Sequence, residues 1–246
     1  MSDTHTPIPT KRFPKPAPWR IESVIDGRKL RSQLQATALN SMHDEKDLRS
    51  RALDLLHGAL FRGRMIAQER LEDGADGLDT SRLLAAVQDE VLAALFEFVS
   101  THIHRKTGAA ADERVAVLAV GGYGRSVLAP SSDIDLLLIR HQKQSPWAES
   151  VIEYMLYMLW DMGLKIGHAF RTIDECIRLA KEDLNTQTAL LDARFLFGDK
   201  ELANALTTRY RNDVIRGNEA KFIADKLNER GVQISAKPAD VWLSRM

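Results

Sequence analysis

Two aspartates and two glycines stand out because of their spacing around two apolar runs. Asp133 and Asp135 lie two residues apart at the start of DIDLLLIR, and Gly121 and Gly122 directly follow the run RVAVLAV. In a β-strand, side chains two residues apart point to the same face, so both carboxylates are expected on one strand face. Adjacent carboxylates repel each other unless a cation compensates them, and a divalent ion that prefers oxygen ligands does this. The spacing therefore predicts a magnesium site at Asp133 and Asp135.

The glycine pair indicates which ligand would accompany the metal. Without side chains, Gly121 and Gly122 leave backbone N–H groups open to the close approach of a triphosphate, and Arg125 can add a charge-assisted contact. Each feature alone has an ordinary explanation, because Gly-Gly turns are common and aspartates at a strand end can be solvated or cap a helix. Their combination favours a magnesium and phosphate site. The segment GGYGRS matches neither a Walker loop nor a dinucleotide fingerprint.

These residues are predicted to lie on a small sheet. The segments RVAVLAV, DIDLLLIR and LKIGHAFR are each typical of a strand. Between the second and third strands, Pro146 opens a helix that Gly163 closes. After the third strand, Thr172 and Glu175 form a capping-box pattern, and further helices are predicted through FGDKELANALTTRYR and NEAKFIADKLNERG.

The chain ahead of this sheet is predicted to be helical. Apolar residues recur at helical spacing from Ile21 to Leu71, and the segment EDGADGLD then indicates a loop. Asp79 or Thr80 is expected to cap a long helix that ends near Gly108. The opening segment before these helices is rich in proline and charge, which is typical of a disordered tail.

The composition limits the class of protein. With 246 residues, 44% of them hydrophobic and 28% charged, the chain has the make-up of a globular protein. Its 34 basic residues balance 34 acidic ones, so nucleic acid is not an expected partner. A single cysteine, Cys176, and no secretory signal favour a cytoplasmic location, with Cys176 as a packing residue. No membrane association is expected, because no apolar run reaches the length of a span.

The motifs GGYGR, SDID and IGH-x-x-RT together resemble those of the nucleotidyltransferase superfamily. More narrowly, the stretch from about Val115 to Asp199 is similar to the N-terminal catalytic part of the bacterial protein-PII uridylyltransferase/uridylyl-removing enzymes. The resemblance implies an α+β fold, in which a small mixed β-sheet is flanked by helices, with N-terminal and C-terminal helical segments. Together with the composition and the helical spacing, this resemblance predicts four parts of the chain, namely a disordered tail over 1–20, a helical region over 21–108, the nucleotidyltransferase domain over 109–200 and a helical segment over 201–246, which looks truncated.

The same resemblance implies an activity and a set of site residues. The family's reaction is the transfer of UMP from UTP to a tyrosine hydroxyl of the nitrogen-signalling protein PII, with Mg²⁺ as cofactor and release of pyrophosphate. Matched by motif, the catalytic and metal-binding residues are Asp133 and Asp135. The substrate-binding residues are Gly121, Gly122, Arg125 and Ser132.

Two departures from the family's pattern leave alternatives open. The superfamily usually takes a third carboxylate from a neighbouring strand, but LKIGHAFR has none. Other candidates for the third carboxylate are Asp174, Glu175 and Asp192. The alternative is that His168 and Arg171 shape the site in a different way. The chain's last segment does not resemble the family's continuation into hydrolase and regulatory domains, so removal of UMP and control by glutamine are not expected of it. The alternatives are a nucleotidyltransferase with another acceptor, or an inactive module that binds the nucleotide or PII.

Overall fold

The computed structural model describes residues 18–40, 44–106, 112–141 and 144–236. Nearly all of the predicted tail over 1–20 lies outside these described residues. The chain divides into two compact units, here called the helical unit and the sheet unit. The helical unit comprises residues 1–105, 126–132 and 154–165, and the sheet unit comprises residues 106–125, 133–153 and 166–246.

The helical unit contains four helices in its first hundred residues, as the apolar spacing predicts. They are α1 (Ile21–Val24), α2 (Gly27–Asn40), α3 (Glu45–Glu72) and α4 (Gly77–Phe98). Helix α4 has the broadest buried stripe, in which Leu83, Val91 and Leu95 are fully buried. In the described part of the chain, no helix is both long enough and apolar enough to cross a membrane.

Both ends of α4 differ from the prediction. The N-cap is Asp76, whose carboxylate accepts hydrogen bonds from the backbone N–H groups of Leu78 at 2.8 Å and Asp79 at 3.4 Å. The predicted cap at Asp79 or Thr80 is wrong because Gly77 lies in the first helical turn instead of the loop. The helix ends at Phe98 and continues as one π-helical turn over Val99–Ile103, which stops short of Gly108. Gly108 itself lies outside the described residues.

Helix α3 packs closely against α4 at Gly63. A Cβ atom at Gly63 would lie 2.5 Å from Cγ1 of Val87, whose β-branched side chain has one preferred rotamer in a helix. We therefore expect Gly63→Ala to lower the free energy of unfolding by about 1–3 kcal/mol. Gly58 on the same helix is the matched control, because its added Cβ would meet only the guanidinium of Arg62, at 3.3 Å. Gly58→Ala should raise the free energy of unfolding by about 0.5–1 kcal/mol through helix propensity.

Urea unfolding of both variants, followed by circular dichroism, measures the two changes. Equal effects of the two substitutions would contradict the close packing at Gly63.

The sheet unit is built on a four-stranded mixed sheet, counted over the described residues. The strands are β1 (Val115–Ala119), β2 (Ile134–Arg140), β3 (Ile166–Thr172) and β4 (Arg194–Gly198). Their order in the sheet is β3-β2-β1-β4, with β1 antiparallel to β2 and β4, and β2 parallel to β3. The helices along this part of the chain are α5 (Gly121–Gly124), α6 (Pro146–Asp161), α7 (Ile173–Glu182), α8 (Leu184–Leu191), α9 (Lys200–Tyr210) and α10 (Glu219–Ala236). The predicted α+β class, a small mixed sheet flanked by helices, is confirmed.

Several local predictions in the sheet unit are confirmed, and one is wrong. Pro146 begins α6, and the capping box of Thr172 and Glu175 begins α7. The predicted helix over FGDKELANALTTRYR starts too early, because its first two residues end the strand β4, which the sequence analysis missed. Gly198 has a positive φ of +92°, and a Cβ there would lie 2.4 Å from the carbonyl oxygen of Val115, so the backbones approach too closely for another residue.

Helices α7, α8 and α9 cover one face of this sheet. Leu118, Leu137 and Ile139 of the strands pack with apolar residues of these helices. The same core holds Cys176, which is fully buried and is a packing residue as predicted. Burial raises the pKa of the Cys176 thiol to about 12, so the thiol is not a nucleophile at neutral pH. The strand face that carries Leu137 and Ile139 also carries Asp135, two residues before Leu137.

Candidate functional site

The candidate site begins where three strands meet at one edge of the sheet. Asp135 is the second residue of β2 and lies opposite Gly167, the second residue of the parallel strand β3. On its other side, the carbonyl oxygen of Asp135 accepts a hydrogen bond from the N–H of Val120, just after β1, at 3.0 Å. The end of β1 and the starts of β2 and β3 therefore converge at Asp135.

The Asp135 carboxylate lies against two glycines. A Cβ atom at Gly121 would lie 3.3 Å from Oδ2 of Asp135, and one at Gly167 would lie only 2.3 Å from Oδ1. Gly121 also has a positive φ of +61°, which favours glycine. The absence of side chains at both positions is what gives the carboxylate its space. The sequence analysis identified Gly121 but missed Gly167, although a glycine inside a strand indicates close approach of another group.

Asp133 precedes β2 by one residue and is exposed to solvent. Burial raises the pKa of the Asp135 carboxyl above its usual range, and the nearby charge of Asp133 raises that pKa further. The charge of Asp133 thus destabilises the charged form of Asp135 when no cation is bound. A divalent cation bound between them would relieve this repulsion.

We expect the charge of Asp135 to lower the stability of the folded chain in a pH-dependent way when EDTA has removed divalent cations. Since folding raises the pKa of this carboxyl, the folded state holds the proton more tightly, and stability falls as the pH rises through the unfolded and then the folded pKa. Asp135→Asn, which has nearly the same shape, should therefore raise the free energy of unfolding at pH 7. The gain is at most about 1 kcal/mol because the carboxylate is partly solvated.

Thermal unfolding of the native chain and of Asp135→Asn at several pH values measures this gain. The gap between their melting temperatures should widen as the pH rises through the ordinary pKa of an aspartate and then through the raised pKa of Asp135. A gap that does not depend on pH would show that the charge of Asp135 is not its cause.

The donor set fits magnesium better than a metal that needs a full cage of protein ligands. Among the described residues, no group of three or more His, Cys, Asp or Glu side chains could hold a metal ion. Two carboxylates suffice for Mg²⁺, which is usually held by one or two carboxylates while water and substrate phosphates complete its octahedron. Asp133 and Asp135 are the residues that would hold it.

The candidates for a third carboxylate have other partners. Asp192 forms an ion pair with Arg125, and Asp174 forms one with Arg209 at 2.5 Å. The Glu175 side chain accepts the capping-box hydrogen bond from the N–H of Thr172 at 2.8 Å. Each of the three carboxylates therefore has a structural partner, and none of these contacts involves Asp135.

The other predicted substrate-binding residues are Gly122 and Arg125, which lie in and just after α5, and Ser132, which lies just before Asp133. Gly122 lies half-buried in α5, one residue after Gly121. Arg125 follows α5, and its exposed side chain is the one paired with Asp192. Ser132 is an exposed residue of the helical unit, and its N–H donates to the carbonyl of Ala129 at 3.1 Å. It directly precedes Asp133 in the chain.

A cleft of about 340 Å³ in the sheet unit contains Asp135, Gly121 and Gly167 among its lining residues. Their neighbours in the lining include Arg171 near the far end of β3 and Asn185 and Thr186 in the first turn of α8. Apolar residues of the sheet and of α8 complete its walls, among them Val120, Ala169, Ala189 and Leu190. The volume lies within the range of small-molecule sites, and polar groups within an apolar wall are typical of such sites.

The chain is similar in sequence to named enzymes over most of its length. No family model matches the chain. Over 213 residues, 87% of its length, the chain is 56% identical to the bifunctional uridylyltransferase/uridylyl-removing enzyme of two strains of Caulobacter vibrioides. It is 55% identical over 217 residues, 88% of its length, to the enzyme of the same name from Phenylobacterium zucineum strain HLK1. The chain spans about 23% of the length of each of these relatives. This similarity confirms the resemblance that the GGYGR, SDID and IGH-x-x-RT motifs indicated.

Proposed function

We propose that this chain carries a uridylyl-transfer centre, which moves UMP from UTP to a tyrosine hydroxyl of the protein PII. The shared name of its relatives supports uridylyl transfer in general. UTP as donor and PII as acceptor come from the family resemblance of the motifs around Gly121 and Asp135. The observation that carries the proposal is the placement of the Asp135 carboxylate against the backbones of Gly121 and Gly167 in a cleft of about 340 Å³.

The residues of the site have separate roles in this reaction. The acceptor's hydroxyl oxygen forms a bond to the α-phosphorus of UTP as the bond from that phosphorus to the bridging oxygen breaks, so pyrophosphate leaves and the hydroxyl proton passes to solvent or base. Asp133 and Asp135 would hold Mg²⁺, which would supply positive charge to neutralise the phosphates and would lower the pKa of the attacking hydroxyl. The glycine turn at Gly121 and Gly122 offers backbone N–H groups to the phosphate oxygens. The protein thus mainly positions the reactants and compensates charge.

A transfer assay tests the proposal directly. The chain is incubated with Mg²⁺, purified PII and UTP labelled at the α-phosphorus, and incorporation into PII is followed together with release of pyrophosphate. A PII variant with phenylalanine at the accepting tyrosine is the matched control for the acceptor, and ATP labelled in the same way is the control for the donor. Incorporation that needs both UTP and the tyrosine supports the proposal. Incorporation of neither nucleotide into native PII would contradict it.

The same assay separates the two alternatives. Release of pyrophosphate from UTP that depends on another added acceptor, with PII unlabelled, would indicate a nucleotidyltransferase with a different acceptor. Binding of UTP without any pyrophosphate release would indicate a module that only binds the nucleotide. The removal of UMP from modified PII stays a separate prediction, namely that none occurs, and is tested by offering uridylylated PII with Mg²⁺ or Mn²⁺.

A further inference from the structure

Arg171 shares a strand face and a cleft with Asp135. In the register of β2 and β3, Asp135 lies opposite Gly167, and Ile139 lies opposite Arg171. Gly167 and Arg171 are four residues apart, so both belong to the face that carries Asp135. Four residues of strand span roughly 13 Å, which places Arg171 toward the other end of the cleft. The cleft therefore has an acidic end at Asp135 and a basic end at Arg171.

The charge of Arg171 is not taken up by the protein itself. Across the described ranges, none of the ion pairs includes Arg171, although the neighbouring basic residues are paired. Arg125, the arginine that the sequence analysis assigned to the phosphates, is committed to Asp192. Arg140 on β2 is paired with Glu149 at 3.2 Å. Arg171 is thus the guanidinium of the cleft lining that is free to meet an anion.

The first turn of α8, which also contributes to the cleft lining, does not take that role. Helix N-termini attract anions when their backbone N–H groups are free. Here the N-cap residue Asp183 accepts hydrogen bonds from the N–H of Thr186 at 2.7 Å and of Asn185 at 3.4 Å. The hydrogen bond from the Thr186 hydroxyl at 2.6 Å, together with these backbone hydrogen bonds, lowers the pKa of Asp183, so its carboxylate stays charged and repels other anions. Of these two features of the cleft lining, the guanidinium is therefore the one suited to bind an anion.

We propose that Arg171 binds the terminal phosphates of the nucleotide whose α-phosphate lies at the Asp135 end of the cleft. The assignment of that nucleotide as a donor substrate rests on the proposed function. A guanidinium presents several N–H donors in a fixed fork, which matches the oxygens of a phosphate better than a lysine does. Because the terminal phosphates leave as pyrophosphate, a cation at this position both holds the substrate and compensates the charge of the leaving group.

The experiment compares ligands that do and do not carry terminal phosphates. Binding of UTP, UMP and inorganic tripolyphosphate is measured by calorimetry in fixed Mg²⁺, without any acceptor protein, for the native chain and for Arg171→Gln. Losing a charge-assisted hydrogen bond should weaken UTP and tripolyphosphate by roughly 10–100-fold. UMP, which lacks the β- and γ-phosphates, should change by less than about threefold, since its contacts lie at the other end.

Two further variants make the result specific. Arg178→Gln removes the same charge from the exposed side of α7, where Arg178 pairs with Glu182 at 2.9 Å, and should leave all three affinities unchanged. Arg171→Lys keeps the charge without the fork and should recover part of the tripolyphosphate affinity. It also replaces Arg171→Gln as the test if that variant does not fold. Unchanged tripolyphosphate binding in the folded variant, or an equal loss for UMP and UTP, would overturn the proposal.

Because no acceptor is present, this outcome does not depend on whether PII is modified. If tripolyphosphate binding depends on Arg171 but PII is not labelled, the result supports the phosphate site and contradicts the proposed function. If PII is labelled but tripolyphosphate binds equally well when Arg171 is replaced, the result supports the proposed function and contradicts the phosphate site at Arg171.

Discussion

Asp135→Asn is expected to lower the rate of UMP transfer by on the order of 10²–10³-fold or more, with the fold intact. The substitution keeps the shape of the side chain between Gly121 and Gly167 but removes the charge that would hold the cation. Asp133→Asn should act in the same direction, since both carboxylates belong to the same donor set. The rates come from the labelled transfer assay, at saturating UTP so that chemistry rather than binding is measured.

Asp225→Asn is the matched control for this change of charge. Asp225 lies on α10 and pairs with Lys221 at 2.7 Å, far along the chain from the proposed donor set. It should transfer UMP at the native rate. Near-native rates in both Asp133→Asn and Asp135→Asn would remove the metal hypothesis. Magnesium adds a second readout, because it should raise the melting temperature of the native chain but not of Asp135→Asn.

The two expected effects of Asp135→Asn run in opposite directions. The substitution should make the fold slightly more stable at neutral pH and the transfer reaction far slower. Replacing a residue whose role is packing would lower the stability of the protein. A charged residue whose role is to bind a cation instead lowers the stability of the protein as long as no cation is bound, so its replacement raises that stability. The combination of higher stability with lower activity is therefore the result that identifies Asp135 as a functional residue.

The local part of this site was predictable from the sequence because it depends on contacts close in the chain. The period of two in DIDLLLIR and the glycine pair after RVAVLAV are short-range patterns, and they indicated both β2 and the turn at Gly121. The cap of α4 was misplaced for a similar local reason, since Gly77 is a poor helix former that nonetheless occupies the first turn.

The remaining part depends on strand register, which one sequence does not reveal. Gly167 lies 32 positions after Asp135 and meets it only because β2 and β3 pair in parallel. The ion pair between Arg125 and Asp192, and the position of Arg171 in the cleft lining without an ion pair among the described residues, also depend on the tertiary structure. Strand β4 was missed because RFLFG is short and runs directly into the cap of α9. Its pairing with β1 stabilises it as a strand.

Gly167→Ala is expected to reduce UMP transfer by on the order of 10²-fold, although it adds a single methyl group. That methyl carbon would lie 2.3 Å from Oδ1 of Asp135, closer than any real contact allows, so the carboxylate must move. A displacement of about 1 Å in a reacting group is enough to cost roughly 10²-fold in rate. Gly167 is exposed and its backbone is of the ordinary strand type, so the fold itself should tolerate alanine.

Gly77→Ala is the control for adding a methyl group to a glycine, because a Cβ there would meet nothing within 4 Å. It should leave the transfer rate unchanged. The cause of the loss in Gly167→Ala is checked by magnesium, whose stabilising effect on the native chain should be reduced in this variant as in Asp135→Asn. A folded Gly167→Ala chain with native transfer rate and native response to magnesium would show that the Asp135 carboxylate need not occupy the position it has between the two glycines.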